Sequence, residues 1–208
     1  MSVTDDYFEH LFEDNDDPWA FRQRWYEQRK RALTLAALPH PHYRSIFEPG
    51  CANGELSALL ATRCDRLLAC DTSARAVTLA RQRLHDCPHA TVMHGRLPQD
   101  WPAEKFDLIV FSEVGYYLDE ADLRACIKRM DDSLSDNGQL LACHWRPVID
   151  GCPLDAEQVH RLVAEQLPLQ RICLHREADF VLEVFARRQD SIAQQEFDHD
   201  RRADSRPQ

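Results

Sequence analysis

An apolar segment that leads directly into a glycine-containing turn and then a helix constrains the fold of this 208-residue chain most strongly. The apolar segment ends at Glu48, the turn contains Gly50 and Gly54, and the helix is expected over residues 55–63. Gly50 can adopt backbone angles that are closed to other residues, and Gly54 lets the helix pack close behind the turn. This order predicts a strand, turn and helix of a parallel α/β sheet.

A second apolar strand strengthens this interpretation. It covers residues 66–70 and ends at Asp71, about 20 residues after the glycine turn, where a ribose-binding carboxylate is expected. Backbone amides at the helix start can also face an anionic or polar ligand group. Together these features predict a pocket for an adenosine-containing cofactor, but the spacing is shared with nicotinamide dehydrogenases.

Two details favour S-adenosylmethionine, with S-adenosylhomocysteine as its product, over a nicotinamide cofactor. The three-glycine fingerprint of the dehydrogenases is missing, because three other residues separate Gly50 from Gly54. Glu48 lies just before the turn, where a carboxylate would repel a pyrophosphate but could orient the turn or bind the amino group of S-adenosylmethionine.

Predicted strands and helices alternate along most of the chain. Pro18 precedes an amphipathic helix predicted over residues 19–38, and alternating elements follow as far as a strand over 139–144. The last two strands, 170–175 and 180–186, are joined by a short polar link, which implies an antiparallel hairpin. We therefore predict a doubly wound, seven-stranded, mostly parallel α/β sheet of the Rossmann-like methyltransferase type, with a C-terminal hairpin that dehydrogenases usually lack.

Length and charge limit the domain organisation and the partners. The chain fits one domain with a full core, assigned to residues 18–188. Residues 1–17 are expected to form a mobile acidic lead or a short helix, and residues 189–208 a disordered polar tail. A net charge of −10 argues against a nucleic-acid partner. The acidic start and the lack of a long apolar run predict a cytoplasmic protein without membrane contact, either a monomer or a homodimer.

The eight cysteines contain no Cys-x-x-Cys pair, and several fall within apolar strands or helix faces. Reduced, mostly buried thiols are therefore expected, and no metal site is predicted.

Seven short motifs carry a resemblance to a known family, which extends from about Asp17 to Phe185. They are Asp17-Pro18-Trp19, Trp25-Tyr26-Glu27-Gln28-Arg29-Lys30, Phe47-Glu48-Pro49-Gly50-Cys51, Cys64-Asp65-Arg66-Leu67-Leu68, Phe106-Asp107-Leu108-Ile109-Val110, Ser112-Glu113-Val114-Gly115-Tyr116-Tyr117-Leu118 and His144-Trp145-Arg146-Pro147. In these motifs the chain resembles the class I S-adenosylmethionine-dependent methyltransferases, and within them the nodulation protein S (NodS) family of sugar-amine methyltransferases.

The resemblance implies that the methyl donor lies across the carboxyl ends of the first, second and fourth strands. The residues expected to contact the donor are Glu48, Gly50, Cys51, Ala52, Gly54, Asp71, Thr72, Arg96, Leu97 and Ser112, with Asp71 at the ribose and Arg96 and Leu97 beside the adenine. Family members of this type methylate the free amino group of a deacetylated sugar at the end of an oligosaccharide. A small-molecule or saccharide acceptor is therefore expected.

Methyl transfer from a sulfonium is an in-line displacement, so the protein mainly has to align the acceptor and exclude water. An amine acceptor is protonated at neutral pH, and the enzyme must bind its neutral form or remove a proton. Glu113, just beyond the fourth strand, is the first catalytic candidate, and its structural alternative is capping or pairing with a helix. His144, at the end of the fifth strand, is either a base or a buried imidazole bonded to the backbone.

Aromatic residues are expected at the acceptor side of the pocket. Tyr116 and Tyr117 could pack on a sugar face, one of the two being a core residue instead. Trp145 and Arg146 could line the acceptor channel, or serve only as packing and surface charge.

Tyr26 and Arg29 lie three positions apart, hence on one face of the first predicted helix. They could close over the donor as a lid and bind its carboxylate. The alternative is a helix that docks on the sheet through Trp25.

The leading hypothesis from the sequence is an S-adenosylmethionine-dependent methyltransferase with a small polar acceptor. N-methylation of a deacetylated amino sugar or oligosaccharide is its narrower version. A catalytically silent S-adenosylmethionine-binding sensor or partner subunit is the alternative, and a nicotinamide-dependent oxidoreductase is the third candidate.

Overall fold

A computed structural model describes residues 1–188 and 191–194 of the chain. The strands are β1 (Tyr43–Pro49), β2 (Cys64–Asp71), β3 (Ala90–His94), β4 (Phe106–Ser112), β5 (Leu134–Trp145), β6 (Gln170–Arg176) and β7 (Phe180–Ala186). The helices are α1 (Asp5–Glu13), α2 (Trp25–Ala37), α3 (Glu55–Ala61), α4 (Ala74–Arg83), α5 (Glu120–Ser133) and α6 (Ala156–Gln166), and a short 3-10 helix covers Gly115–Tyr117.

The strands form one sheet in the order β3-β2-β1-β4-β5-β7-β6. The pairs from β3 through β5 are parallel, whereas β7 runs antiparallel to both β5 and β6. The predicted doubly wound sheet with a C-terminal antiparallel hairpin is therefore confirmed. The strand order reverses between β1 and β4, and in such sheets ligands bind in the crevice at the carboxyl ends of these strands.

Both faces of the central part of the sheet are buried. Ile46 and Phe47 are neighbours in β1 and both have no exposed surface, yet they belong to separate apolar clusters on opposite faces. A strand covered on both sides reads as a continuous apolar run, which is the pattern seen in the sequence. Five of the eight cysteines are also buried, as expected for small apolar side chains.

The glycine turn after β1 has the predicted backbone. Gly50 and Gly54 both have positive φ angles, of 75° and 80°. A Cβ atom at Gly54 would lie 3.0 Å from the Cα of Ala80 in α4, so the missing side chain allows α3 and α4 to pack closely. A Cβ atom at Gly50 would lie 2.1 Å from Val114, and the turn is therefore held against the segment that follows β4.

The helix predicted over 19–38 begins only at Trp25. Ala20 has a positive φ of 57°, which interrupts a helix, and the Asp17 carboxylate accepts hydrogen bonds from the backbone N–H groups of Phe21 and Arg22. The expectation that Trp25 docks this helix on the sheet is wrong, because its side chain is 72% exposed. Polar residues of α2 are buried instead, namely Glu27, Lys30 and Thr34.

Residues 5–13 form α1, so of the two expectations for residues 1–17 the structure has the short helix. Phe12 is buried, and the Glu9 carboxylate accepts hydrogen bonds from the Ser73 hydroxyl and the Ala74 N–H at the start of α4. A carboxylate at the positive end of a helix dipole is favourable. Helix α1 is thereby attached to α4.

The start of β5 differs from the prediction, and most of the predicted C-terminal tail lies outside the described residues. Strand β5 begins at Leu134, and the turn predicted at 136–138 lies within it, where the pairing with β4 jumps from Phe106–Leu134 to Leu108–Gln139. The predicted tail over 189–208 lies outside the described residues except for 191–194. None of the helices within the described part of the chain is long and apolar enough to span a bilayer.

Candidate active site

A cavity of about 650 Å³ opens at the carboxyl ends of β1, β2 and β4, where the sheet topology predicts a ligand. Residues from α1, α2 and the segment between them close its other side. A recess of about 50 Å³ adjoins the cavity behind the glycine turn. Gly50, Ala52, Glu27, Lys30 and Glu113 contribute to both, so the cavity and the recess form one continuous site.

Ten of the twelve residues predicted to contact the cofactor line this site. Those in the cavity are Tyr26, Gly50, Ala52, Asp71, Thr72, Arg96 and Leu97, and those in the recess alone are Glu48, Cys51 and Ser112. Gly54 and Arg29 line neither. Gly54 acts through the packing of α3 on α4, whereas the Arg29 guanidinium binds both carboxylate oxygens of Glu177, in the link between β6 and β7.

Glu48 brings a buried carboxylate to the recess. Its Oε2 atom is fully enclosed and has no hydrogen-bond partner among the described residues. Burial, together with the nearby charge of Asp71, raises the pKa of Glu48 to about 8. A buried polar atom without a partner is costly, so this oxygen is suited to a donor or a cation supplied by a ligand.

Asp71 joins the end of β2 to the glycine turn. One carboxylate oxygen accepts the Ala52 N–H at 2.8 Å, and the other accepts the Ser73 N–H at 3.0 Å. Burial raises the pKa of Asp71, although these hydrogen bonds act in the opposite direction. Because a carboxylate can accept about four hydrogen bonds, each oxygen retains capacity for a ligand hydroxyl.

A charge cluster that the sequence did not reveal lines both the cavity and the recess that contains Glu48. The Lys30 Nζ atom lies 2.7 Å from Glu113 and 3.2 Å from each carboxylate oxygen of Glu27. Burial alone would lower the pKa of Lys30, but Glu113 and Glu27 raise it above its usual value. Lys30 is therefore charged, and the two carboxylates with one ammonium carry a formal charge of −1. The available signal was the i, i+3 spacing of Glu27 and Lys30 on the inward face of α2.

Glu113 connects three parts of the fold. Besides Lys30, its carboxylate accepts hydrogen bonds from the Tyr116 hydroxyl and from the Trp145 N–H at the end of β5. Its backbone has a φ of 58°, an uncommon conformation for a non-glycine residue. These contacts hold a strained residue at the cavity wall, as is common at functional sites. Glu113 lines the cavity and also pairs with α2, as its structural alternative expects, and its catalytic role stays a prediction.

His144 does not face the cavity, which corrects its interpretation as a candidate base. The imidazole has no exposed surface, and its Nε2 atom accepts the Gly115 N–H at 3.0 Å. Since that nitrogen must be unprotonated, Nδ1 carries the hydrogen and donates to His160, which in turn donates to Glu183. Burial, and then the neighbouring His160 and Lys30, keep the pKa of His144 far below its usual value. His144 is a neutral, buried link in a hydrogen-bonded chain.

Arg146 is also outside the cavity. Its guanidinium donates to Glu157 in α6 and to the Glu177 carbonyl. Of the three sequence-predicted arginines, Arg96 lines the cavity, whereas Arg29 and Arg146 both attach to the link between β6 and β7. Neighbouring carboxylates and carbonyls satisfy them there, which explains why they do not reach the predicted ligand.

Aromatic side chains form much of the cavity wall. Tyr116 and Tyr117 both line it and both belong to the buried core, so the expected division into one lining residue and one core residue is not found. Trp145 also lines the cavity, with its ring 5.3 Å from that of Tyr26. Tyr117 also packs against Phe8 of α1, with ring centroids 4.9 Å apart. The contribution of α1, made by Asp5, Tyr7, Phe8 and Phe12, was not predicted, because nothing local in that acidic segment indicates what it covers.

Comparisons with known proteins agree with this geometry. The family described as Nodulation protein S (NodS) matches residues 5–179. Nodulation protein S of Rhizobium tropici is 32% identical over 128 residues, which cover 61% of this chain and 54% of that relative. The chain therefore spans about half the length of the curated relative that it matches.

Two solved structures share the fold. One is N-methyltransferase NodS from Bradyrhizobium japonicum WM9 in complex with S-adenosyl-L-homocysteine, with a TM-score of 0.75, 30% identity, and coverage of 86% of this chain and 97% of that one. The other, from Pseudomonas syringae, was crystallised as a candidate methyltransferase; it has a TM-score of 0.72, 61% identity, and coverage of 79% of this chain and 100% of that one. The chain has the class I methyltransferase fold and belongs to the Nodulation protein S (NodS) family.

Proposed function

We propose that this chain is an S-adenosylmethionine-dependent N-methyltransferase whose acceptor is the amine of a small polar molecule, with a deacetylated amino sugar or oligosaccharide as the favoured class. One observation carries the proposal: a single continuous site combines a buried Glu48 oxygen that has no hydrogen-bond partner among the described residues with a net negative Glu27–Lys30–Glu113 cluster, and both line the recess behind the glycine turn. Two cationic ligand groups would be satisfied there. The membership in the NodS family supports the same activity.

The donor side of the cavity fits S-adenosylmethionine. Glu48 would accept hydrogen bonds from its amino group, and the backbone of Gly50 and Ala52 would lie against its methionine part. Asp71 would bind the ribose hydroxyls, with Arg96 and Leu97 beside the adenine. The cavity volume of about 650 Å³ is within the usual range for a small-molecule site. When bound, this cofactor supplies a methyl group on a positively charged sulfur, already activated for displacement.

The acceptor side fits an amine on a polar ring. Tyr116, Tyr117 and Trp145 offer aromatic faces on which a sugar ring can pack. As the acceptor nitrogen forms its new bond, positive charge develops on it, and Glu113 stabilises that charge through the field of its carboxylate. His144, Arg29 and Arg146 have no direct part in this proposal. A cytoplasmic location, a monomeric or homodimeric state and the absence of a nucleic-acid partner stay predictions from the sequence.

The proposal is tested by binding and turnover with the same protein preparation. Calorimetric titration with S-adenosylhomocysteine should give tight binding. Incubation with S-adenosylmethionine and a chitooligosaccharide that has one free terminal amine should yield a product heavier by one methyl group on nitrogen. The fully N-acetylated oligosaccharide is the matched control and should not react.

Other outcomes point elsewhere. Equal methylation of the free and the acetylated sugars would rule out the amine as the acceptor. Tight binding without product from any amine, hydroxyl or carboxylate would favour a silent binding subunit. Binding of a nicotinamide cofactor in place of S-adenosylhomocysteine would overturn the proposal and favour an oxidoreductase.

A further inference from the structure

We infer that Glu27 is the group that takes the proton from the acceptor amine, whereas Glu113 holds the surrounding turn and the developing charge. This inference rests on the proposed function, because it assigns a proton acceptor to that reaction. Glu27 lies in α2, outside the strand ends that usually supply the ligand contacts of such sheets.

The two carboxylates differ in how much of their hydrogen-bonding capacity the protein already uses. Glu113 accepts from three groups, the Lys30 ammonium, the Tyr116 hydroxyl and the Trp145 N–H. Within the described part of the chain, Lys30 is the donor recorded for Glu27, at 3.2 Å from each oxygen. Glu27 contributes to both the cavity and the recess, so its free capacity is directed to the site.

The charges around Glu27 also suit a proton acceptor. The charged and titratable groups that face it are Lys30, Arg31, Tyr26, Glu113 and Cys143. Burial raises the pKa of Glu27, Lys30 opposes that rise, and Glu113 adds to it. A carboxylate with a raised pKa accepts a proton more readily than an ordinary one.

The proposed step moves one proton from the acceptor to the cluster, whose formal charge changes from −1 to zero. One N–H bond of the acceptor ammonium breaks, its electron pair stays on nitrogen, and the proton moves to the Glu27 carboxylate. The nitrogen lone pair then forms the bond to the methyl carbon, while the carbon–sulfur bond breaks and its electron pair goes to sulfur. Lys30 and Glu113 remain as a neutral ion pair when Glu27 is protonated, so no buried charge is left without a partner. Glu27 later releases its proton to solvent.

The test is a Glu27→Gln variant assayed with two amines, one protonated at the assay pH and one of low basicity that is already neutral. With the protonated amine, kcat should fall by about 100-fold or more, the usual size of a lost general base. With the neutral amine the loss should be much smaller, and raising the pH should restore part of the activity toward the first amine. An equal loss with both amines would indicate a purely structural role and overturn the inference.

The matched control is Glu177→Gln, which removes the carboxylate that binds Arg29 of the same helix outside the cavity. It should leave kcat unchanged. A wild-type protein that methylates no amine defeats the proposed function, whereas wild-type activity that Glu27→Gln retains in full defeats this inference alone. If Glu27→Gln does not fold, the wild-type pH profile of kcat decides: kcat for the protonated amine must fall on the acid side, and a flat profile contradicts the role.

Discussion

The residues proposed to bind the methyl donor, called the donor half, and those proposed to bind the acceptor, called the acceptor half, are assembled in different ways. The donor half is local: Asp71 binds the N–H groups of Ala52 and Ser73, within 19 positions of itself. The acceptor half is assembled from distant side chains, since Lys30 and Glu113 are 83 positions apart and Trp145 lies a further 32 positions along the chain. The donor half depends on backbone geometry, whereas the acceptor half depends on the pairing of buried charges. Mutations in the two halves should therefore have different effects on ligand affinity and on stability.

The largest effect is expected from Lys30→Met, which leaves the buried Glu27 carboxylate and the partly buried Glu113 carboxylate without their counter-ion. Removing one partner of a buried ion pair costs about 3–5 kcal/mol, so the free energy of unfolding measured in urea should drop by about that amount. Lys128→Met is the matched control in α5, since Lys128 pairs with Asp132 in an exposed position. An unchanged unfolding midpoint for Lys30→Met would mean that the acceptor half does not rest on this cluster.

Asp71→Ala should instead weaken cofactor binding in the donor half, with a smaller effect on the acceptor half. Hydrogen bonds to a charged group contribute about 1.5–3 kcal/mol, so the affinity for S-adenosylhomocysteine should fall by about 10- to 100-fold. Calorimetric titration measures it. The control is Asp107→Ala, which removes a carboxylate that binds Arg44 at the far end of β4. The affinity of this variant for S-adenosylhomocysteine should equal that of the wild type. Equal losses in the two variants would show that the effect is not specific to the site.

Acid pH should act on the acceptor half through His144. Its pKa is lowered in the folded state, so below about pH 6.5 the unfolded chain binds a proton that the folded chain does not, and stability is lost as the pH falls. The contribution is at most about 1.4 kcal/mol per pH unit. His144→Gln should remove this dependence from urea unfolding curves measured between neutral and mildly acidic pH. His85→Gln, at an exposed histidine, should keep the wild-type dependence.

The smallest effect is expected in the donor half, where ligand binding should release a proton from Glu48. Because the pKa of Glu48 is raised to about 8, this carboxyl is mostly protonated at pH 7, and a ligand ammonium bound beside it should displace that proton. The enthalpy of S-adenosylhomocysteine binding should then vary with the ionisation enthalpy of the buffer and indicate release of just under one proton. Glu48→Gln should abolish the variation. A buffer-independent enthalpy in the wild type would place the ammonium elsewhere.

The contrast between the halves also explains what could be predicted from the sequence. The glycine turn, Asp71 and the terminal hairpin depend on short-range patterns, and the structure has them at the predicted places. The burial of Lys30 and the exposure of Trp25 depend on what α2 meets after the chain has folded, which no local pattern encodes. Similar reasoning applies to Arg29 and Arg146, whose charges were apparent but whose partner, the β6–β7 link, was not.

His144 illustrates a different limit. Its place at the end of β5 was predicted, and sequence position alone left open whether the imidazole faced the cavity or the core. The structure decides this through Gly115, where even a Cβ atom would lie 2.9 Å from the imidazole Nε2 atom and 2.5 Å from Val159. Such a close approach requires three segments to be packed together first.

The hydrogen-bonded chain from Gly115 through His144 and His160 reaches Glu183 in β7, the middle strand of the antiparallel end of the sheet, where Arg171 of β6 also donates to the carboxylate. That strand is therefore mechanically connected to the turn that carries Glu113 and Tyr116, although it contributes no lining residue to the cavity within the described chain. In a chimera that exchanges the terminal hairpin between relatives, Glu183 should therefore be transferred together with His160 and His144. Transferring the strand alone would break this hydrogen-bonded chain without changing any residue that lines the cavity.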